Sequence, residues 1–226
     1  MSGNTRLHQV EITATADVKG RNDNMKTAKQ IMKKKKFIKD EMDRKFSKSV
    51  SDELWEKTRV RLDGILKQYE SIPTGEHSHT DNYIFPAAAI YLTLTEESSR
   101  DTAYAVIENA AIKNSSDAGR KLAKLMKLPG MKSLFVSVWD PMTKKMFGSD
   151  CGFKNVFYPK KKGEYRMDVV ACPYNRYFTE LGCPELTKIF CANDERCYGN
   201  LPGLEFKRTG TIGTGSDRCD FYLRKI

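Results

Sequence analysis

The spacing of apolar residues changes near Gly148, and this change constrains the fold more than any other feature of the chain. Before Gly148 apolar residues recur at helical spacing, and after it they alternate along several short segments. Helices followed by antiparallel strands are the order of an α+β protein. We therefore expect a helical N-terminal half packed on a roughly four-stranded antiparallel sheet with an inserted Cys-rich helix.

The same pattern predicts the domain organisation. Residues 1–23 are polar and lack sustained periodicity, so we expect a flexible arm. Residues 24–226 are expected to form a single α+β domain, mainly helical over 24–147 and made of the sheet and its inserted helix over 148–226. This length is sufficient for one substantial core.

Several elements are predicted in the helical half. We expect a helix from Asp52, capped by Ser51 or Asp52, and a polar loop over 71–82. The stretch IFPAAAIYLTL predicts a central helix, and two separate helices are expected over 98–113 and 117–128. The segment MKSLFVSVWDPM is compatible with a strand, but its apolar spacing favours a helix.

Two hairpins are predicted in the second half. The segments CGFKNVFY and YRMDVVAC flank the turn-forming KKKGE, and LEFKRTGTI and RCDFYLR flank GTGSD. Each pair is typical of two antiparallel strands. The Cys-rich segment GCPELTKIFCANDERC lies between the hairpins and is the predicted inserted helix.

Composition limits the class of protein. There is no run of even ten apolar residues, so no membrane association is expected. The first twenty residues lack the apolar stretch of a secretory signal, which favours a cytoplasmic protein. In that compartment the six cysteines are expected to be free thiols and not disulfides.

The net charge of +10 raises the question of a polyanionic partner. Much of the positive charge lies in the Lys-rich segment 25–48, which has helical propensity but no interleaved aromatic platform and no nucleic-acid motif. Charge runs usually form solvated helix faces. A solvated face is therefore favoured over a surface that binds nucleic acid or phosphate.

The cysteines differ in their predicted positions. Cys197 falls in the apolar stripe of the inserted helix and is best explained by packing, as is Cys219 in the last strand. Cys191 lies at the edge of the stripe with Asp194 one turn later. This pair either presents a thiol and a carboxylate to one cleft or is a helix-edge thiol beside a solvated acid. Cys191 and Cys197 point about 120° apart and the chain has no CxxC pair, so we predict neither a metal site nor a cofactor, although metal binding stays open.

Two further residues are ambiguous on the sequence alone. Cys183 precedes Pro184-Glu185, a favoured helix start, where exposed N–H groups would lower the pKa of its thiol; the alternative is a small hydrophobic residue beside the cap. His79 lies in the predicted polar loop. It is either solvated or the imidazole best placed to act as a general base in a cleft.

Arg208 is predicted to point inward. Alternation along its strand places it on the same face as Leu204 and Phe206, and a guanidinium among core residues requires a partner. That partner is Asp194, Asp220 or the carboxylate of a ligand. An internal ion pair and a carboxylate clamp are equally compatible with this pattern.

The run GCPELTKIFCANDERCYGNLPGLEFKRTGTIGTGSDRCDF resembles the C-terminal signature of the L-2-amino-thiazoline-4-carboxylic acid hydrolase family. The likeness rests on the GCPEL start, the FC pair followed three residues later by Asp, the R-T-x-T strand and the closing G-x-x-x-CDF. Similarity in the upstream apolar helix extends it to about residues 50–226. The resemblance implies a hydrolase that opens a small cyclic amidine or isothiourea carboxylate, such as L-2-amino-thiazoline-4-carboxylate, by C–N bond hydrolysis.

The resemblance also implies roles for the candidate residues. Cys191 would be the nucleophile that attacks the amidine-like carbon, Asp194 would orient the amidinium or act as acid and base, and His79 is a further catalytic candidate. Arg208 would clamp the substrate carboxylate bidentately. The remaining substrate-binding candidates are Thr211, Cys183, Cys219 and Asp220.

A more distant resemblance, to vinyl-reductase-type small-molecule-binding domains, implies the same fold with a different function. Such domains are α+β sheets flanked by helices and are often dimeric. A non-catalytic binding or sensory domain is therefore the alternative, and a homodimer is compatible with it. Both interpretations predict a small-molecule partner, which for the hydrolase is a carboxylate substrate.

Overall fold

The computed structural model describes residues 26–226, and the arm expected over 1–23 lies outside them. Helices α1 to α9 span, in chain order, Ala28–Lys33, Lys36–Lys45, Lys48–Gln68, His77–His79, Phe85–Glu97, Arg100–Leu125, Met131–Met146, Pro173–Glu180 and Leu186–Tyr198. Strands β1 to β4 span Lys154–Phe157, Glu164–Ala171, Leu204–Lys207 and Cys219–Lys225. Helices dominate the first half and strands follow, so the predicted α+β class is confirmed.

The strands form an antiparallel sheet in the order β1-β2-β4-β3. Both predicted hairpin pairings are present, β1 with β2 and β3 with β4. In addition β2 pairs with β4, which places Val169 opposite Cys219 and Met167 opposite Phe221. The last strand of the chain therefore lies inside the sheet, and β3 is at its edge.

The connection from β2 to β3 contains two helices, whereas the sequence analysis predicts one. The additional helix α8 begins at Pro173, a residue favoured in the first turn because it has no N–H to leave unpaired. Tyr177 and Phe178 of α8 are buried in the helical core. The Cys-rich helix α9 begins at Leu186, about one turn later than expected.

Helix α3 begins earlier than predicted, at Lys48. The Ser47 hydroxyl accepts the Val50 N–H and caps the helix. Ser51 is buried inside the helix and accepts a hydrogen bond from Lys39 Nζ at 2.9 Å. The apolar stripe of α3 was visible in the sequence, but the burial of Ser51 depends on the contact with α2.

The helical half differs from the prediction at two further places, and at a third place the prediction is confirmed. Helix α6 is continuous, since Ser115 donates its hydroxyl to the Ala111 carbonyl at 2.7 Å and fits inside the helix. The segment predicted as a polar loop contains helical turns from Thr74 to Ile84. The helix predicted for MKSLFVSVWDPM is confirmed as α7, which runs through Pro141.

Two apolar clusters make up the core. The first is formed by α1 to α3, α5, α6, α8 and α9, and the second lies between α7 and the sheet. Tyr174, in α8, packs against both clusters. The cavity that contains the candidate site lies at their junction, because its walls include Ile107 of the first cluster and Trp139 of the second.

Candidate active site

A cavity of about 320 Å³ contains most of the residues that the sequence analysis singled out. Its walls are largely apolar and aromatic. Five predicted site residues line it: His79, Cys191, Asp194, Arg208 and Cys219. Residues from the helical half and from the sheet thus converge on one cavity, which is the usual setting of a small-molecule site.

Arg208 connects two residues of α9, Asp194 and Cys191. Its Nη1 donates to Asp194 Oδ2 at 2.8 Å, and its Nη2 donates to the Cys191 carbonyl oxygen at 2.8 Å. Only 7% of the Arg208 side chain is exposed. Of the three partners that the sequence left open, the structure therefore selects Asp194.

The Cys191 thiolate is stabilised by its neighbours. A hydrogen bond from the Cys219 thiol is the main cause of a lowered pKa at Cys191, against the opposing effect of burial. The Thr211 hydroxyl, the Gly213 N–H and the charge of Arg208 lower this pKa further. A cavity thiol with a depressed pKa has the properties of a nucleophile.

The loop after β3 approaches the sulfur closely at Gly213. A Cβ at this position would lie 2.9 Å from Cys191 Sγ and 3.2 Å from the Lys188 backbone nitrogen. Only glycine lets the loop bring its N–H to the sulfur. Gly213 was not among the predicted site residues, although it begins the turn-forming segment GTGSD.

Cys219 acts as the proton donor of the thiol pair. Its hydrogen bond to Cys191 and its burial raise the pKa of the Cys219 thiol far above the ordinary value. The Ile212 N–H donates to Cys219 Sγ at 3.2 Å and fixes the sulfur in place. Cys219 is thus buried, as expected for a core residue, and also contacts the candidate nucleophile.

Asp194 is poised to exchange a proton near neutral pH. Burial raises the pKa of its carboxyl to about 7, the charge of Arg208 opposes this rise, and a Cys191 thiolate adds to it. The Asp194 side chain lines the cavity and keeps 33% of its surface exposed. Burial of the rest among protein groups disfavours the charged carboxylate, which is the direction of the shift.

Asp220 supports the site from outside the cavity. Its carboxylate accepts hydrogen bonds from the Thr209 N–H at 2.9 Å, the Thr209 hydroxyl at 2.8 Å and the Gly210 N–H at 2.8 Å. Burial alone would raise its pKa, but these bonds hold the pKa of Asp220 below its usual value. The turn that they fix connects Arg208 to Thr211.

His79 lines the cavity, yet both of its ring nitrogens are engaged. Nε2 lies 2.6 Å from the Met146 carbonyl oxygen, and Nδ1 lies 3.0 Å from the Tyr174 hydroxyl. A carbonyl only accepts, so the proton is on Nε2 and Nδ1 accepts from Tyr174. Burial lowers the pKa of His79. These contacts favour a structural neutral imidazole over a general base.

Cys183 does not join the other candidates. It is fully buried in the helical core and does not line the cavity. Burial raises the pKa of its thiol to about 12, which agrees with the alternative of a small hydrophobic residue beside the cap and not with a lowered pKa. The reason is its position ahead of α9, where apolar packing outweighs any effect of the helix start.

Aromatic and cationic groups of the cavity were missed by the sequence analysis. Tyr174 reaches His79 from α8, a helix that was not predicted, and Lys35 comes from the Lys-rich segment. Cys172 also lines the cavity, where burial raises its pKa to about 11. A Tyr-x-x-Tyr-Phe spacing at 174–178 was the available signal for α8.

Two negative findings apply to the described part of the chain. Across residues 26–226, no helix is long and apolar enough to cross a membrane. In the same residues, no three His, Cys, Asp or Glu side chains are grouped in a way that could hold a metal ion.

A comparison with known protein families agrees with the resemblance read from the C-terminal run. A family model described as L-2-amino-thiazoline-4-carboxylic acid hydrolase matches residues 77–223. No curated protein and no solved structure gave a significant match. The matched residues are more than half of the chain and include Cys191, Asp194 and Arg208. The chain therefore belongs to the L-2-amino-thiazoline-4-carboxylic acid hydrolase family.

Proposed function

We propose that this protein opens the ring of a small cyclic amidine or isothiourea carboxylate, such as L-2-amino-thiazoline-4-carboxylate, by hydrolysis of a C–N bond. One observation carries the proposal: the Cys191 thiol, with its lowered pKa, lies in the same cavity as the Asp194 carboxyl, and Arg208 contacts both residues. The cavity of about 320 Å³ suits a ligand of this small size.

In the first step the Cys191 thiolate attacks C2 of the protonated ring and forms an S–C2 bond. The C2–N3 bond then breaks, and N3 leaves as an amine that takes a proton from Asp194. The product of this step is an adduct in which C2 carries the Cys191 sulfur, the former ring sulfur and the exocyclic nitrogen.

In the second step water adds to C2 of the adduct, and the Asp194 carboxylate takes a proton from it. The S–C2 bond to Cys191 breaks and the thiolate is restored. The proton released as the carbonyl forms passes to the free amine. The sum is one water added to the substrate to give S-carbamoyl-cysteine.

The properties of Asp194 fit this sequence of proton transfers. A carboxyl whose pKa is about 7 can both give and accept a proton near neutral pH. Its bond to Arg208 holds it beside the thiol. We assign Arg208 to positioning Asp194 and Cys191, because two of its nitrogens are already bound and a bidentate clamp on a substrate carboxylate would have to break these bonds.

The test is turnover of L-2-amino-thiazoline-4-carboxylate by the wild-type protein and by Cys191→Ser. We expect ring opening by the wild type and a loss of at least about a thousandfold in the variant. Cys197→Ser is the matched control, because Cys197 Sγ contacts the Ser115 carbonyl of α6 and does not line the cavity. Turnover by neither protein, with ligand still bound, would favour a non-catalytic binding domain.

The bond that breaks can be read from the product. Opening at C–N leaves the sulfur carbamoylated, so a thiol reagent detects no new thiol. Opening at C–S releases one free thiol per turnover. That second result would keep the hydrolase but contradict the proposed bond class.

A further inference from the structure

One lysine of the Lys-rich segment does not lie on a solvated face. Lys35, between α1 and α2, lines the cavity together with Asp194 and Arg208, whereas its neighbours Lys34 and Lys36 are exposed. Its Nζ lies 4.9 Å from the ring centroid of Tyr83, a residue that also lines the cavity. The Lys-rich segment thus places the positive charge of Lys35 in the cavity wall.

The charge of Lys35 lacks an acidic partner in the described residues. Lys39, the other inward lysine of this segment, pairs with Asp43 and with Asp52. Within residues 26–226 Lys35 forms no such ion pair, and its contacts are with aromatic rings. A half-buried ammonium without a counter-ion is costly, and an anion in the cavity would relieve this cost.

The environment of Lys35 is consistent with such a role. Burial, with repulsion from Lys34 and Lys26, lowers its pKa to about 8, so the ammonium form still predominates at neutral pH. The other cavity cation, Arg208, is already bound to Asp194 and to the Cys191 carbonyl. A ligand carboxylate therefore finds its available positive partner at Lys35.

We propose that Lys35 binds the carboxylate of the small anionic ligand in the cavity and so selects carboxylates over neutral heterocycles. The identity of that ligand as substrate rests on the proposed function, but the selection for a negative charge does not. Lys35 lies outside the residues that match the family model. The segment upstream of the match would then contribute directly to specificity.

The test compares two reagents that alkylate Cys191 and differ in charge, iodoacetate and iodoacetamide. Rates at Cys191 are measured by peptide mass spectrometry, and their ratio cancels any change in thiol reactivity. Lys35→Met should lower the iodoacetate-to-iodoacetamide ratio roughly fivefold, as expected for loss of one nearby charge. Lys35→Arg should keep the ratio, and the exposed Lys34→Met is the control.

A ratio in Lys35→Met equal to that in Lys34→Met overturns the proposal. A ratio that falls equally in Lys35→Met and Lys35→Arg also overturns it, because the effect would then be one of shape and not of charge. Neither outcome depends on turnover. If the wild type opened no amidine ring, the proposed function would be contradicted. The test of Lys35 would remain valid, because it measures alkylation and not turnover.

Discussion

The guanidinium of Arg208 holds the acid and the thiol-bearing residue of the site in one arrangement, with 2.8 Å from Nη1 to Asp194 Oδ2 and 2.8 Å from Nη2 to the Cys191 carbonyl. Asp194 and Cys191 are one helical turn apart on α9, whereas Arg208 follows β3. The contact therefore joins α9 to the segment that follows β3 in the wall of the cavity.

Because Arg208 is almost fully buried, the ion pair with Asp194 should contribute measurably to stability. We expect Arg208→Met to lower the free energy of unfolding by about 3 kcal/mol, since it leaves a buried carboxyl without its partner. A double-mutant cycle with Asp194→Asn should give a coupling energy of about 1–3 kcal/mol by urea denaturation. Additive effects of the two substitutions would show that the pair does not hold the site together.

Gly213 should be essential for the high reactivity of the Cys191 thiol. Its replacement by alanine puts a Cβ 2.9 Å from Cys191 Sγ and forces the loop away, which removes the N–H that stabilises the thiolate. We expect alkylation of Cys191 by iodoacetamide at pH 5, below its pKa of about 6, to slow about tenfold, because a rise of one pKa unit lowers the thiolate fraction about tenfold at such a pH.

The control for Gly213 is Gly64→Ala in α3, where a Cβ meets no atom within 4 Å. It should leave alkylation unchanged and stabilise the protein by up to about 1 kcal/mol, as alanine is the better helix former. Equal alkylation rates in the two variants would mean that the loop does not lower the pKa of the Cys191 thiol.

The pH dependence of alkylation should reveal which groups stabilise the Cys191 thiolate by donating hydrogen bonds to its sulfur. The rate at Cys191 should rise with pH to a midpoint below the ordinary thiol value of 9.0. Removing a donor destabilises the thiolate and raises its pKa, so Cys219→Ala and Thr211→Val should each move the midpoint upward. A midpoint that is ordinary in the wild type, or that moves downward in these variants, would contradict the assigned hydrogen bonds.

Asp194 should set the alkaline limb of the pH–rate profile. It must be protonated to give its proton to the leaving nitrogen, and its pKa is about 7, so kcat/KM should fall as pH rises above that value. Asp194→Asn cannot supply a proton, and we expect low activity without this limb. An alkaline limb that persists unchanged in Asp194→Asn would assign the titration to another group.

The sequence predicted the groups whose geometry is local and missed those whose burial depends on distant packing. The turn between Cys191 and Asp194, and the alternation that turns Arg208 inward, are properties of single elements and both are present. Lys35 was grouped with solvated lysines, since nothing within its own segment distinguishes it from Lys34.

Errors in the predicted helices had the same origin. For Cys183 the sequence left open an exposed helix start and a small hydrophobic residue beside the cap. Helix α9 begins at Leu186 and leaves Cys183 in the apolar core. The expected break in α6 is absent, and α6 instead packs along α9, where a Cβ at Gly119 would meet the Arg196 carbonyl oxygen at 2.5 Å. Glycine there serves close packing between the two helices.

Trapping a covalent adduct on Cys191 tests directly whether this residue is the nucleophile. Wild-type protein is mixed with excess L-2-amino-thiazoline-4-carboxylate, quenched with acid within one turnover and analysed by intact and peptide mass spectrometry. We predict a mass increase equal to that of the substrate on the peptide containing Cys191, absent from Cys191→Ser. Ring opening by Cys191→Ser at the wild-type rate, with no adduct in either protein, would show that Cys191 is not the nucleophile.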